Sequence, residues 1–407
     1  MKEDSILIMK SLEDVKKEVL SKITQERVVE VSRELVKIPS ETGHEKEVSL
    51  FLGNMLKGMG LEVKWPEKEK DRPNCVGILH GSTGKPKLQF SGHLDTVGPG
   101  DLKKWITGPY GGEVIGNKMY GRGVMDSKGG GTASVVVALE AIIKSGIKLK
   151  GDVSIVGTVG EEVGGDLGMI YMVENRIINP DICVYCVHSD MEIKAYFKGV
   201  LLTKLIVEGQ TAHASTPEEG VNAIKGMLRI LTELEDNRLP YKKHPLLGDN
   251  TLNFGWIKGG ERYNVICDHC EAGIDMRFLP DQTAEGVLKY IEQVITKLKG
   301  KYPDLDARIE PFVIENGYEV KDKNDIALKL VKEAAKEITG DYPKVGGTVA
   351  TGDLKAIFEK GGISAVGYGP GDLKRGNAHK ENEFIEVDQL LNASKVYATI
   401  MLNCCYK

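Results

Sequence analysis

The chain has 407 residues, more than one core usually supports, and 41% are hydrophobic, so two domains with well-filled cores are expected. Its 54 lysines and arginines stand against 59 acidic residues with no dense basic run, which argues against nucleic-acid or membrane-surface partners. No apolar window reaches about eighteen residues, and the opening MKEDSILIMKSLEDVKKEVL carries acids and lysines where a signal peptide is apolar. A soluble, cytoplasmic protein is the expectation.

ERVVEVSRELVKIPS and KEVSLFLGNMLKGMG place apolar residues at helical spacing, the second stopping at Gly60. LEVKW, CVGILHG and KLQFSGHLD read as strands, SKGGGTASVVVALEAIIKSG as a helix, and GDVSIVGTVGEE and DICVYCVH as further strands. Near Lys198 the texture changes. GVLLTKLIVEG, HCEAGIDMRFL and DARIEPF are strand-like, with helices in GVNAIKGMLRILTEL and TAEGVLKYIEQVITKLKG. Helix and strand then alternate again in NDIALKLVKEAAKEITG and GISAVGYG. The predicted fold is α/β: a catalytic domain with a mixed, mostly parallel sheet flanked by helices, interrupted by a smaller α+β lid. The expected boundaries are 1–197 and 316–407 for the catalytic domain and 198–315 for the insertion.

Seven cysteines, an odd number in so long a chain, suit a reducing compartment. Cys183-x-x-Cys186 and Cys267-x-x-Cys270 have zinc-site spacing, but roughly eighty residues separate them. Cys183 and Cys186 also lie on one strand, where residues three apart face opposite ways. They are expected to be buried small hydrophobes.

SGHLDTVGPG delivers His93 and Asp95 to a strand end on one face, so the Asp95 carboxylate can hydrogen-bond the imidazole and fix its tautomer. YGRGVMDSKGG places Asp126 in a glycine-dense turn that opens a helix without matching a phosphate loop. GTVGEEVGG ends a strand in Glu161 and Glu162, where active sites form in α/β sheets.

His93, Asp126, Glu161 with Glu162, and His379 in GNAHKENE arrive in that order at strand-to-turn junctions. Over nearly its whole length the chain resembles the co-catalytic di-zinc family that includes aminoacylases, acetylornithine deacetylases, succinyl-diaminopimelate desuccinylases and glutamate carboxypeptidases. GHLDTV, GRGVMDSKGG and GEEVGG are close to the family's signatures. GQTAHASTPEEGVNAI and DHCEAGIDMRFLP look like its inserted dimerisation domain, and VGYGPG precedes its last metal-binding histidine.

The resemblance implies two zinc ions per chain, with cobalt or manganese as substitutes. Asp126 would bridge them at the separation of about 3.5–4 Å usual for two-metal hydrolases. His93 would serve the first ion, and Glu162 with His379 the second. Glu161 would be the general base, and His213 the oxyanion donor, reaching in from the partner subunit of a homodimer built through the insertion. Asn264, Arg277 and Lys355 would contact substrate; Lys355 stands in TGDLK where relatives have an arginine, a point charge in place of a fork. Cys267 stands where relatives often have proline.

One ligand of the first ion departs from the pattern. Relatives usually supply a Glu or Asp about 25 residues after the paired carboxylates, commonly in G-E-P, but this chain has VHSD. His188 is one candidate, as in the resembling allantoate amidohydrolases and β-alanine synthases; Asp190, on the same face of a continued strand, is the other. A histidine there makes the site one negative charge poorer and favours zinc or cobalt over harder ions. The expected activity is hydrolysis of the amide of an N-acyl amino acid. The alternatives are a dipeptidase or carboxypeptidase of the same family, or a degenerate binder that does not hydrolyse.

Overall fold

The computed structural model describes residues 11–322, 324–348 and 352–406. The chain forms two compact units. One comprises the residues up to Ala195, Val320–Val345 and those from Gly352 onward; the other comprises Tyr196–Glu319 with the segment from Gly346.

In the first unit, the helix Gln25–Val36 starts where the Thr24 side chain accepts the N–H of Arg27, and buries Val28, Val31, Leu35 and Val36 at helical spacing. The helix Ala133–Lys144 is buried on almost every side. It packs against Gln25–Val36 and against the closing helix Val387–Cys405. The sequence pattern extends the helix back to Ser127, but Lys128–Thr132 forms a wider π-helical turn. A Cβ at Gly131 would collide with the carbonyl oxygen of Cys186, so glycine is what lets this turn lie against the strand end leading to His188.

The central sheet runs Glu62–Lys64, Cys75–Leu79, Asp152–Thr158, Lys87–His93, Ile182–Tyr185, Ser364–Gly367, Ile193–Phe197. Four of these strands, from Asp152–Thr158 to Ser364–Gly367 in sheet order, are mutually parallel. The pairings outside them are antiparallel. The sheet is therefore mixed, with parallel pairing confined to its centre, where the strands are buried along most of their length. A small sheet of Glu113–Ile115, Lys118–Tyr120 and Phe384–Glu386 was not legible from periodicity.

The second unit is an antiparallel sheet in the order Thr251–Gly259, His269–Phe278, Gly199–Glu208, Asp306–Glu315. Its inner strand His269–Phe278 alternates strictly between buried and less buried residues. The helices Ala223–Asp236 and Ala284–Lys301, capped by Asn222 and Thr283, pack on the sheet around Leu205, Met227, Ile230, Ile274 and Ile291. The edge strand Thr251–Gly259 is largely exposed and bulged between Phe254 and Trp256, which explains its weak alternation in sequence.

All seven cysteines are free, and those of the two C-x-x-C pairs are buried. Burial pushes the Cys183 thiol up to about 12. No helix among the described residues is long and apolar enough to cross a membrane.

Candidate metal centre

Because the four central strands are parallel, their carboxyl ends lie on one edge of the sheet, where ligands bind in open α/β folds. Lys87–His93 ends on His93 itself. Asp152–Thr158 leads to the tight turn Glu161–Val163, bracketed by the left-handed glycines Gly160 and Gly164. Ile182–Tyr185 leads to His188, and the loop after Ser364–Gly367 carries His379.

The side chains converge on Asp126, which is almost fully buried. Its Oδ1 lies 2.8 Å from His93 Nε2 and 3.2 Å from His188 Nδ1. Its Oδ2 lies 3.2 Å from His379 Nε2, which is also 3.2 Å from Glu162 Oε2. One atom each of His93, Asp126 and Glu162 lies within 4.8 Å of the others. The approach of His188 Nδ1 to Asp126 is close but off the direction of a hydrogen bond, so this buried nitrogen has no hydrogen-bond partner, and neither has Glu162 Oε1.

Electrostatics follow from this crowding. Burial opposes ionisation of Asp126, but His188, His379 and His93 hold its carboxylate well below the usual range. Burial likewise opposes charge on His93, yet Glu161 and Asp126 raise its imidazole well above its ordinary value. His188 is raised by Asp126 against burial, and His379 is raised to about 10 by its contacts with Asp126 and Glu162. These opposed shifts reflect the negative charge that the carboxylates gather around the imidazoles. Burial pushes the Glu161 carboxyl well up, with Asp353, Asp126 and Glu162 adding to it against His93.

Imidazole and carboxylate donors gathered around a shared carboxylate, with a buried nitrogen and a buried oxygen left unsatisfied, fit divalent transition-metal ions. Residues 89–403 match the model of Peptidase family M20/M25/M40, well over half of the chain. The chain belongs to this family. As an M20/M25/M40 protein it is a metal-dependent hydrolase of amide or peptide bonds.

Among relatives of this M20 chain, succinyl-diaminopimelate desuccinylase from Rhodopseudomonas palustris (strain BisA53) is 27% identical over 91% of this chain and 96% of that protein. Acetylornithine deacetylase from Proteus mirabilis (strain HI4320) is 28% identical over 93% and 96%. The aminopeptidase PepT from Bacillus cereus ATCC 10987 shares the fold, with a TM-score of 0.75 at 24% identity, covering 94% of this chain and 99% of its own.

Three expectations change in detail. His93 Nδ1 bonds the carbonyl of Asp95 at 2.9 Å, while the nearer carboxylate oxygen stands 3.6 Å away. Instead, the Asp95 carboxylate accepts the backbone N–H groups of Glu161 and Glu162, both at 3.1 Å, and the Thr42 hydroxyl at 3.0 Å. It therefore positions the Glu161–Glu162 turn, and the main chain orients the imidazole. Asp190 does not share a face with His188, because the strand ends at Tyr185 and Asp190 and Met191 adopt left-handed conformations. Its carboxylate accepts from Arg375 at 2.6 Å and Gln389 at 2.8 Å. The Nε–Nη2 edge of Arg277 is paired with Asp275, two residues back on the same face, at 2.7 and 2.9 Å.

His213 and Asn264 lie in neighbouring exposed loops of the second unit, where Ala214 donates to the Asn264 carbonyl at 3.1 Å. His213 Nδ1 and Ser215 Oγ are 2.8 Å apart. Lys355 lies on the helix Asp353–Gly361, but its side chain falls outside the described residues.

Sequence reading missed Asp353. It is fully buried, accepts a short hydrogen bond from the Thr158 hydroxyl, and leaves Oδ1 without a partner. Burial raises its carboxyl to about 7. The acid in TGDLK was the available signal, overshadowed by the lysine two residues on.

Proposed function

We propose that the chain is a dinuclear metal hydrolase that cleaves the amide of an N-acyl amino acid, releasing the acyl group and the free amine. The observation that carries this reading is the division of Asp126, whose Oδ1 faces His93 and His188 while Oδ2 faces His379 beside Glu162. His93, His188 and Asp126 would hold one ion, and Asp126, Glu162 and His379 the other. Zinc suits these donors, with cobalt or manganese as substitutes. Bound ions would supply Lewis acidity to the scissile carbonyl and acidify a water molecule.

Glu161 does the proton work in this reading. Its raised pKa suits a group that takes a proton from the attacking water and returns it to the leaving amine. Asp95 holds its backbone in place. The developing oxyanion takes a hydrogen bond from His213, supplied across a homodimer, while Asn264, Arg277 and Lys355 select substrate. A carboxylate reaching Arg277 would meet its Nη1–Nη2 edge, since Asp275 holds the Nε–Nη2 edge. Action on N-acyl amino acids accords with the names of the desuccinylase and deacetylase relatives.

The test combines metal titration of the metal-free chain with turnover of N-acetyl and N-succinyl amino acids and of di- and tripeptides. Two ions per chain and preferential cleavage of one acyl series support the proposal. Preference for peptides moves the function to a peptidase. Fewer than two ions, with no turnover in added zinc or cobalt, leaves a binding protein.

A further inference from the structure

A buried ion pair outside the ligand set joins two segments of the centre that are distant in sequence. Glu383 is fully buried and Arg122 almost so. Arg122 Nη1 donates to Glu383 Oε2 at 2.5 Å. The other oxygen of Glu383 accepts three backbone N–H groups, from Gly123 at 3.1 Å, Met125 at 3.0 Å and Asp126 at 3.2 Å. One carboxylate thus gathers the turn that carries Asp126.

The same pair reaches the loop that carries His379. Arg122 Nη2 donates to the carbonyl of Lys380 at 3.0 Å, and the Glu383 carbonyl accepts the N–H of Gly121 at 3.0 Å. That loop is a conformation few sequences adopt unaided, since Asn377, His379 and Asn382 all have φ between 56° and 61°. Non-glycine residues in this region persist only where the surroundings over-determine them. Arg122 and Glu383 supply such surroundings, and charge on both partners strengthens every bond they make.

We propose that Arg122 and Glu383 are positioning residues that lock the Asp126 turn to the His379 loop, so that affinity for both metal ions depends on them. This rests on the two-metal reading above. Neither side chain needs to touch an ion or substrate; they act through the backbone that aims Asp126 and His379.

The test uses the full-length, metal-free protein with zinc and cobalt as probes, comparing wild type, Glu383→Gln, Arg122→Lys and the double variant Arg122→Met/Glu383→Leu. Stoichiometry and affinity come from chelator competition, and folding from circular dichroism and melting temperature. Glu383→Gln is expected to weaken both ions by about 10–100-fold while the chain stays folded. Arg122→Lys, which keeps the charge, should fall between it and wild type.

The double variant removes the pair's charges and its bonds to the backbone together. Replacing both partners leaves no buried unpaired charge but takes the acceptor from three buried N–H groups, so its melting temperature should stay below that of wild type. Its metal affinity should stay low, because the three N–H groups have lost their acceptor. Recovery of affinity along with stability would reduce the pair to a purely structural role and overturn the proposal. So would a folded Glu383→Gln that binds both ions as wild type does, or that loses only one. If wild type itself takes up fewer than two ions, the two-metal reading falls and the clamp with it.

Discussion

Nδ1 of His188 stands 3.2 Å from Oδ1 of Asp126, buried and without a hydrogen bond. A nitrogen so placed is spare donor capacity aimed at the oxygen that His93 also faces. His188→Ala is therefore expected to reduce the metal content from two ions to one per chain with the fold retained. Asp190→Ala should keep two, since Asp190 is engaged by Arg375 and Gln389. Elemental analysis of the purified variants decides, and loss of an ion in Asp190→Ala with none in His188→Ala would reverse the assignment.

Glu161→Gln is expected to retain both ions and lose about 10²–10⁴-fold in kcat with little change in KM, the span typical of a general base. Steady-state kinetics beside metal analysis checks it; a near-normal kcat removes Glu161 from the proton-transfer role.

Asp95→Asn separates two readings of one carboxylate. Its two oxygens hold the N–H groups of Glu161 and Glu162, whereas His93 Nδ1 is held by the main chain. An amide offers one acceptor where there were two, so kcat should fall by about 10–100-fold while metal content stays near two. Loss of metal at unchanged kcat per loaded centre would show that the carboxylate serves the imidazole after all.

Asp353 predicts a pH effect on stability. Burial raises its carboxyl from 3.8 to about 7 in the folded chain. Between those values the folded state keeps a proton that the unfolded state has released, so rising pH lowers stability through this window and no further above it. Asp353→Asn has no such proton. In metal-free protein its melting temperature should gain on wild type between pH 5 and pH 8, and a difference that is flat or shrinks with pH would exclude the raised carboxyl.

For the dimer, His213→Ala subunits mixed with Glu161→Gln subunits should recover part of the activity in verified heterodimers. In each mixed dimer one centre has its base and also receives an intact His213 of the partner subunit. Absence of recovery would place His213 on its own chain's centre or outside the reaction.

Periodicity and spacing by themselves determined the α/β class, because buried central strands read as apolar runs and amphipathic helices repeat at helical spacing whatever surrounds them. Spacing placed His93, Asp126, Glu161 and Glu162 at strand ends and turns, and the resemblance to the di-zinc family singled them out together with His379. Tertiary structure alone decided how these groups face one another. Left-handed residues after Tyr185 turn Asp190 toward Arg375 and leave His188 beside Asp126. Glu383 reaches the Asp126 turn across some 257 positions of sequence. Asp95 gives its carboxylate to a turn 66 residues away and only its carbonyl to the neighbouring imidazole. Local patterns specify which face a side chain takes along its own element; which backbone group it meets depends on strands and loops distant in the chain, and no local pattern encodes that pairing.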